Sequence, residues 1–180
     1  MTEGIQYTIP GQPGRTKTAV LSFLRTELLY DIQNCAFVEG DIMKVESEHD
    51  RHQVLDIGED GNIDRVTRML DLAHAECVEA LYPYSKEVID AESSADDVLA
   101  EKETYTVSLL LPDDYSKTSL DLLTKYIHEY MVCRVLADWM NITKPDAAAN
   151  WQAKAEQAKG AAKSLVNYRT GRVRRTQSPF

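Results

Sequence analysis

The sequence TSLDLLTKYIHEYMVCRVLADWMN at residues 118–141 predicts the central element of the fold. Its apolar side chains recur at intervals of three and four residues, which is the spacing of α-helical turns. They cover more than one face of that helix, and they are Leu120, Leu123, Ile127, Tyr130, Met131, Val135, Leu136 and Trp139. A helix that is apolar on several sides is expected to be enclosed by other elements. We therefore expect a long central helix whose first turn is capped by Thr118 with Asp121.

The residues just before this helix predict a strand. Between Tyr105 and Leu111, apolar and polar residues alternate, so that every second side chain lies on the same apolar face. Pro112 ends the pattern, because proline has no N–H to donate to a sheet. The pattern is that of a half-buried strand.

Two further helices are predicted on either side of the strand and the central helix. Asn62 is expected to cap a helix that continues until Pro83 stops its pattern. The apolar positions of that helix are Ile63, Val66, Met69, Leu70, Ala73, Cys77 and Leu81. The segment Thr143-Lys144-Pro145-Asp146 offers a capping hydroxyl, an early proline and an acid, which favours a new helix. This last helix, to about Tyr168, is rich in alanine and includes Trp151, so we expect it to lie close against another helix.

The N-terminal third predicts a helix and a hairpin. Apolar residues at helical spacing indicate a helix over Lys17–Ala36, and they are Leu21, Leu24, Leu28, Ile32 and Cys35. Two short runs, Lys44–Glu48 and Gln53–Ile57, favour a β-hairpin, with the glycines at 58 and 61 supplying a turn afterwards.

Together these elements predict an α+β fold that is predominantly helical, with about four main helices and a small antiparallel sheet or hairpin. Residues 1–16, which contain two prolines and three glycines, are expected to form an extended N-terminal arm. Residues 17–168 are expected to form the helical domain, with an acidic, solvated connector at 86–103. Residues 169–180 are expected to form a basic C-terminal arm.

Composition and charge narrow the class of function. The 180 residues are 43% hydrophobic and 27% charged, as in an ordinary globular domain. The net charge of −9 argues against a protein that coats nucleic acid. The charge is uneven, because residues 1–156 hold 29 acids against 14 Lys or Arg, or −15, whereas residues 157–180 hold six Lys or Arg and no acid. An acidic body with a basic tail is typical of an interaction segment.

No stretch approaches eighteen consecutive apolar residues, and no basic region followed by an apolar one opens the chain. We therefore expect neither a membrane-spanning protein nor one exported by an obvious signal.

The soft metal ligands lack the spacing of known metal sites. Cys35, Cys77 and Cys133 are an odd number in apolar-periodic stretches, where free thiols are expected to behave as small buried hydrophobes. His74 precedes Cys77 by one helical turn, and His128 precedes Cys133 by five residues. The sequence has no Cys-x-x-Cys and no His-Glu-x-x-His, so ordinary core residues are favoured over a zinc site.

Calcium binding and catalysis are disfavoured for similar reasons. A calcium loop that starts at Asp56 would place Gly58 at its third position and Thr67 where a bidentate Glu is needed. The sequence contains neither a glycine-flanked serine elbow nor a glycine loop that could cradle phosphate. We therefore expect no enzyme, no cofactor and no metal.

The basic arm is the strongest candidate for a functional segment. Arginine forks bind phosphates or carboxylates in a bidentate manner. The candidate interaction residues are Arg169, Arg172, Arg174, Arg175 and Phe180. The partner is either the acidic body of a neighbouring copy or DNA, and the competing interpretation is a solvated terminus that binds nothing.

The layout of residues 62–180 carries a resemblance. Its parts are an early helix, the strand at 105–112, a long helix with Tyr126-Ile127-His128-Glu129-Tyr130-Met131-Val132 and Leu136-Ala137-Asp138-Trp139, an alanine-rich helix with Trp151, and an arm from Arg169 to Pro179-Phe180. This layout resembles the helical structural proteins at the neck of tailed bacteriophages, the head-tail connectors or adaptors. The resemblance implies a non-enzymatic virion subunit, assembled in the host cytoplasm, whose copies form a ring between portal and tail.

The partners implied by the resemblance are copies of the chain itself, the portal and tail subunits, and packaged DNA nearby, with no membrane and no small-molecule substrate. A second hypothesis is a cytoplasmic nucleic-acid-binding or protein-binding regulator that uses the arginine-rich tail, although the acidic body counts against it. A third is a helical enzyme with a carboxylate or His/Cys site, which the missing motifs disfavour.

Overall fold

The structure, a computed structural model, describes residues 15–43, 48–85, 96, 98–99 and 101–167. Its elements are β1 (Arg15–Leu24), α1 (Arg25–Asp41), α2 (Glu48–Leu55), α3 (Ile63–Ala80), β2 (Thr104–Pro112), α4 (Lys117–Thr143) and α5 (Pro145–Val166). Two short 3-10 turns, at 56–58 and 60–62, join α2 to α3. β1 and β2 pair as a two-stranded antiparallel sheet. The predicted fold class, predominantly helical α+β with a small antiparallel sheet, is confirmed.

α4 is the central helix, as predicted. Eleven of its side chains are buried, and α1, α2, α3 and α5 all pack against it. The predicted cap is wrong, because Ser116 occupies the N-cap position without a side-chain hydrogen bond and Thr118 lies inside the helix. The backbone carbonyl of Ser116 already accepts the N–H of Leu120, so the helix begins before the expected capping residue.

α5 packs along α4 through its alanines. The buried side chains of α5 are Ala147, Trp151, Ala155, Ala158, Ala162 and Val166. Small residues at the contact bring two helices close together, which confirms the role predicted for the alanines. Pro145 is the first helical residue, as expected, but the Thr143 hydroxyl donates to the carbonyl of Trp139 at 3.1 Å and does not cap α5.

The first predicted helix is wrong over its N-terminal part, because residues 15–24 form β1 rather than a helical turn. Leu21 and Phe23 are buried as alternate residues of the strand, whereas Leu24 is exposed. Leu21 pairs with Val107 of β2, and this pairing outweighs a helical spacing that the same apolar residues also fit. The helical prediction holds from Arg25 onward.

The predicted hairpin is also wrong. Gln53–Leu55 belongs to α2, and residues 56–58 form a 3-10 turn. Val54 and Ile57, three residues apart, are the buried members, which is helical spacing. Residues 44–47 of the other predicted run lie outside the described residues.

α3 follows the predicted boundaries closely. Val66, Leu70, Ala73 and Cys77 are buried at helical spacing. Asn62 precedes the helix as expected, but its amide donates to the carbonyl of residue 56 at 2.8 Å instead of capping α3.

Three predicted segments fall largely on residues that the structure leaves undescribed. Residues 1–14 of the N-terminal arm, residues 86–95 of the acidic connector and residues 168–180 at the C-terminus lie outside the described residues.

Replacing Trp139 or Trp151 with alanine is expected to lower the free energy of unfolding by about 3–5 kcal/mol. The two side chains are only 4% and 8% exposed, and the Trp139 indole also donates to the carbonyl of Val54. Urea unfolding followed by circular dichroism measures the loss without relying on the deleted fluorophore. Gln152→Ala, an exposed neighbour on α5, is the control. Wild-type-like unfolding of both tryptophan variants would contradict this helix packing.

Candidate interaction surface

The described part of the chain ends at Asn167, two residues before the arginine arm begins in the sequence. Arg169, Arg172, Arg174, Arg175 and Phe180 all lie outside the described residues, so the structure brings none of them to a site. The last described residue, Asn167, accepts a hydrogen bond from the hydroxyl of Tyr84. The hydroxyl of Tyr115, just before α4, donates to the carbonyl of Leu165 at 3.5 Å. The last described residues of the chain therefore lie beside the N-terminal end of α4.

A group of exposed apolar residues lies on α1, and it is not among the sites predicted from the sequence. The inner side of α1 buries Leu28, Ile32, Ala36 and Gly40. The opposite side exposes Tyr30, Phe37 and Val38, and the exposed Ile42 follows directly after the last helical residue. We call these four apolar residues the outer α1 face.

Two members of the outer α1 face are especially exposed, with Tyr30 at 67% and Ile42 at 70%. Positions 30, 34, 38 and 42 form one ridge of residues four apart, and Phe37 lies beside it. Isolated exposed apolar residues are ordinary on protein surfaces, but grouped ones mark interaction sites.

A shallow groove of about 400 Å³ runs beside this ridge. It is lined by Tyr30, Gln33, Asn34, Phe37, Leu55, Gly58 and Glu59. The side chain of Gln33 lies so close to Gly58 that an added Cβ would come within 2.9 Å of its amide nitrogen. Gly58 and Gln33 therefore lie side by side in the lining of the groove.

An ion pair ties the C-terminal end of α1 to the junction between α4 and α5. The ammonium of Lys144 lies 2.8 Å from the carboxylate of Glu39, and both side chains are about one-fifth exposed. Gly40, the next residue, lies against Leu55 of α2 with too little room for an unshifted Cβ. The outer α1 face is therefore held on a helix that is fixed at its far end.

A polar patch borders the other end of α1. The imidazole of His128 lies 2.7 Å from the carboxylate of Asp31, and a second groove contains this pair together with Thr26, Glu27 and Tyr30. Phe23 of β1 contacts the same imidazole, with ring centroids 6.4 Å apart. This patch connects the sheet, α1 and α4 beside Tyr30.

A partly buried polar network joins α3 to α4. Two nitrogens of Arg134 donate to the carboxylate of Glu76, at 2.9 and 3.3 Å, and the Tyr130 hydroxyl donates to it at 2.8 Å. Burial opposes the ionised form of Glu76, but the hydrogen bonds from Arg134 and Tyr130 outweigh it and hold the Glu76 pKa below its usual value. Asp138 accepts another hydrogen bond from Arg134. Every charged group in this network has a partner, which is typical of a structural contact.

The thiols of Cys77 and Cys133 and the imidazole of His74 take part in separate contacts. Burial raises the pKa values of Cys77 and Cys133 to about 12, so both stay protonated at neutral pH. Burial also lowers the pKa of His74, whose imidazole contacts the carbonyl of Thr106 at 2.8 Å. Within the described ranges, no three His, Cys, Asp or Glu side chains group where they could hold a metal ion.

Comparison with known proteins finds no matching family model, curated protein or solved structure. In the part of the chain that the structure describes, none of the helices combines the length and apolar character needed to cross a bilayer.

Glu76→Gln is expected to lower the free energy of unfolding at neutral pH. It should also make that free energy depend less on pH in the acidic range. Because the folded-state pKa of Glu76 is lowered, its ionised form stabilises the fold above the unfolded-state pKa of about 4.5, and this gain is lost as the pH falls through the folded-state value. The stability difference between wild type and variant should therefore shrink in acid. Urea midpoints from pH 3 to 7 measure it, with Glu79→Gln on the same helix as the control. Equal midpoints at pH 7 would show that the network contributes nothing.

Proposed function

We propose that this chain is a non-enzymatic structural subunit that assembles with copies of itself, as a head-tail connector or adaptor in a ring at the neck of a tailed bacteriophage. The observation that carries the proposal is the outer α1 face, a group of exposed apolar side chains on a helix fixed at both ends. The layout of residues 62–180 supplies the likeness to the neck proteins.

The outer α1 face has the composition of a protein interface. Its two aromatic residues, Tyr30 and Phe37, belong to the class enriched at the centres of such contacts. The face has polar neighbours in the groove, Gln33 and Asn34, which can supply the hydrogen bonds that accompany apolar contact. A second copy that covers this ridge would remove four large apolar side chains from water.

The arginine arm can bridge subunits of this size. The 12 residues from Arg169 to Phe180 would reach up to about 43 Å if extended. The 27 residues of α4 make it about 40 Å long. One arm is therefore long enough to lie along a neighbouring domain, whose net acidic charge complements the four arginines.

Phe37→Asp is expected to abolish self-assembly while leaving the melting temperature nearly unchanged, because the exposed Phe37 contributes little to its own core. A charge at the centre of an apolar contact has to be desolvated without a partner, so the assembled state is disfavoured. Mass photometry against protein concentration measures the change. Leu72→Asp, an exposed apolar residue of α3, is the matched control. If both variants assemble like the wild type, the outer α1 face is no interface.

Deleting residues 169–180 is expected to leave the fold and melting temperature nearly unchanged but to impair assembly. The attraction between the arginine arm and an acidic neighbour should also weaken with salt, since exposed charges are screened over about 8 Å at physiological ionic strength. Sedimentation velocity across a salt series measures both effects. Replacing the four arginines with Gln separates the partners, because a DNA-binding arm would lose salt-dependent DNA affinity and a subunit-binding arm would lose assembly without DNA. Normal assembly and binding by the truncated chain would leave the arm without a role.

A further inference from the structure

The two edges of the sheet differ in what covers them. The N–H of Leu110 in β2 donates to the carbonyl of Tyr84 at 2.9 Å, and the carbonyl of Thr106 contacts the His74 imidazole at 2.8 Å. Both groups point away from β1, so the turn at 81–85 and helix α3 cover the outer edge of β2.

The register shows that the other edge has no partner among the described residues. Thr18, Val20 and Ser22 of β1 pair with Leu110, Ser108 and Thr106 of β2. In an antiparallel pair, if the backbone N–H and C=O of one residue point away from the partner strand, those of the residue directly opposite point away from it as well. The N–H and C=O groups of Thr18, Val20 and Ser22 therefore point away from β2, and none of the described residues hydrogen-bonds to them.

This open edge, which we call the β1 edge and define as Thr18–Leu24, lacks the usual protection. Natural sheets guard their edges with charges, prolines or bulges, whereas Thr18–Leu24 contains no charged residue, proline or glycine. The one irregularity in pairing lies before it, between Arg15 and Lys17. The ammonium of Lys17 is turned to the carbonyl of Asp113. Val20 is 59% exposed on the outer face of the sheet. A strand of this kind is suited to accept another strand.

The chain itself supplies a segment with the matching pattern. Residues 5–9 read Ile-Gln-Tyr-Thr-Ile, in which Ile5, Tyr7 and Ile9 alternate with two polar residues. β-branched and aromatic residues with this period favour a half-buried strand. Residues 5–9 lie outside the described residues and come shortly before β1.

We propose that residues 5–9 of one copy add as a third strand to the β1 edge of a neighbouring copy. This inference rests on the self-assembly proposed above and names how the copies grip each other. Main-chain hydrogen bonds to Thr18, Val20 and Ser22 would join the strands. The period of two would put the apolar side chains of the donor on the same face as Leu21 and Phe23.

The linker disfavours the tightest return of residues 5–9 to the β1 edge of their own chain, and a longer loop within one chain is the alternative outcome of the test below. Residues 10–14 read Pro-Gly-Gln-Pro-Gly. Two-residue hairpin turns of the favoured types need a positive φ at their first central residue, which proline cannot adopt. Gly11-Gln12 could start such a turn, but its closing residue would be Pro13, which has no N–H to complete it. Two prolines also stiffen and extend a linker, so it is suited to carry the strand outward.

A complementation experiment tests the proposal with two variants of the full domain. The first lacks residues 1–9, so it keeps the β1 edge but has no donor strand. The second carries Val20→Pro, which keeps the donor but removes an outward-facing N–H from the acceptor edge. Each variant alone should fail to assemble, whereas an equimolar mixture should form a one-to-one dimer by sedimentation velocity. Val20→Thr, which keeps the N–H and the branched side chain, is the matched control and should assemble normally.

A second pair of variants keeps the test independent of any effect of Val20→Pro on folding. Tyr7→Pro, outside the described core, should abolish assembly, and Tyr7→Val should not. A synthetic peptide of residues 1–12 should bind one-to-one to the chain that lacks residues 1–9, and the same peptide with Tyr7→Pro should not bind.

The outcomes distinguish this inference from the proposed function. A wild-type chain that stays monomeric at every concentration overturns self-assembly itself. If the variant that lacks residues 1–9 assembles as well as the wild type, only the strand addition is overturned. If the mixture forms no dimer and removal of residues 1–9 lowers the melting temperature of the monomer, the strand pairs within its own chain and the intermolecular proposal is wrong.

Discussion

The apolar side chains of α4 lie on several sides of the helix, so they are buried only when other elements cover α4 on several sides. Four helices, α1, α2, α3 and α5, do so. Its eleven buried side chains each favour this enclosure, at about 1.5–3 kcal/mol for a large apolar side chain. The covering helices meet this demand in different ways. α5 approaches closely through alanines, and α3 adds the paired charges of Glu76 and Arg134. α1 contributes only its inner ridge, so its other ridge remains available for a different contact.

The parts of the fold that the sequence predicted best are those in which the apolar residues fit either strand alternation or helical spacing, but not both. Tyr105–Leu111 has an apolar residue at every second position, and α3 repeats at helical spacing up to a proline, so both predictions were correct. β1 was missed because Leu21 and Leu28 fit a helical stripe while Leu21 and Phe23 fit a strand. The choice depends on pairing with β2, more than 80 residues further along the chain. In α2, the eight-residue helix buries only Val54, and one buried residue is too few to define a period.

The candidate surface was harder to predict than the fold. Charge shows the arginine arm directly, because six bases follow the last acid. The outer α1 face gives no such signal, since both the buried ridge of α1 and the exposed one carry large apolar residues. Leu28 and Ile32 face α4 while Tyr30 and Phe37 face water, and only the tertiary packing decides between them. The open β1 edge likewise depends on which edge of a two-stranded sheet the turn at 81–85 covers.

The β1 edge and the outer α1 face belong to one rigid unit, because the strand ends at Leu24 and the helix begins at the next residue. Arg25 fixes this junction. Its N–H donates to the carbonyl of Glu103 at 3.0 Å, and its guanidinium donates to the hydroxyl of Thr67 at 2.9 Å. A partner that engages both surfaces therefore meets them in a fixed relative position. Association with such a preorganised surface loses less conformational entropy than association with two independent ones, so two modest contacts on one rigid unit can support a stable assembly.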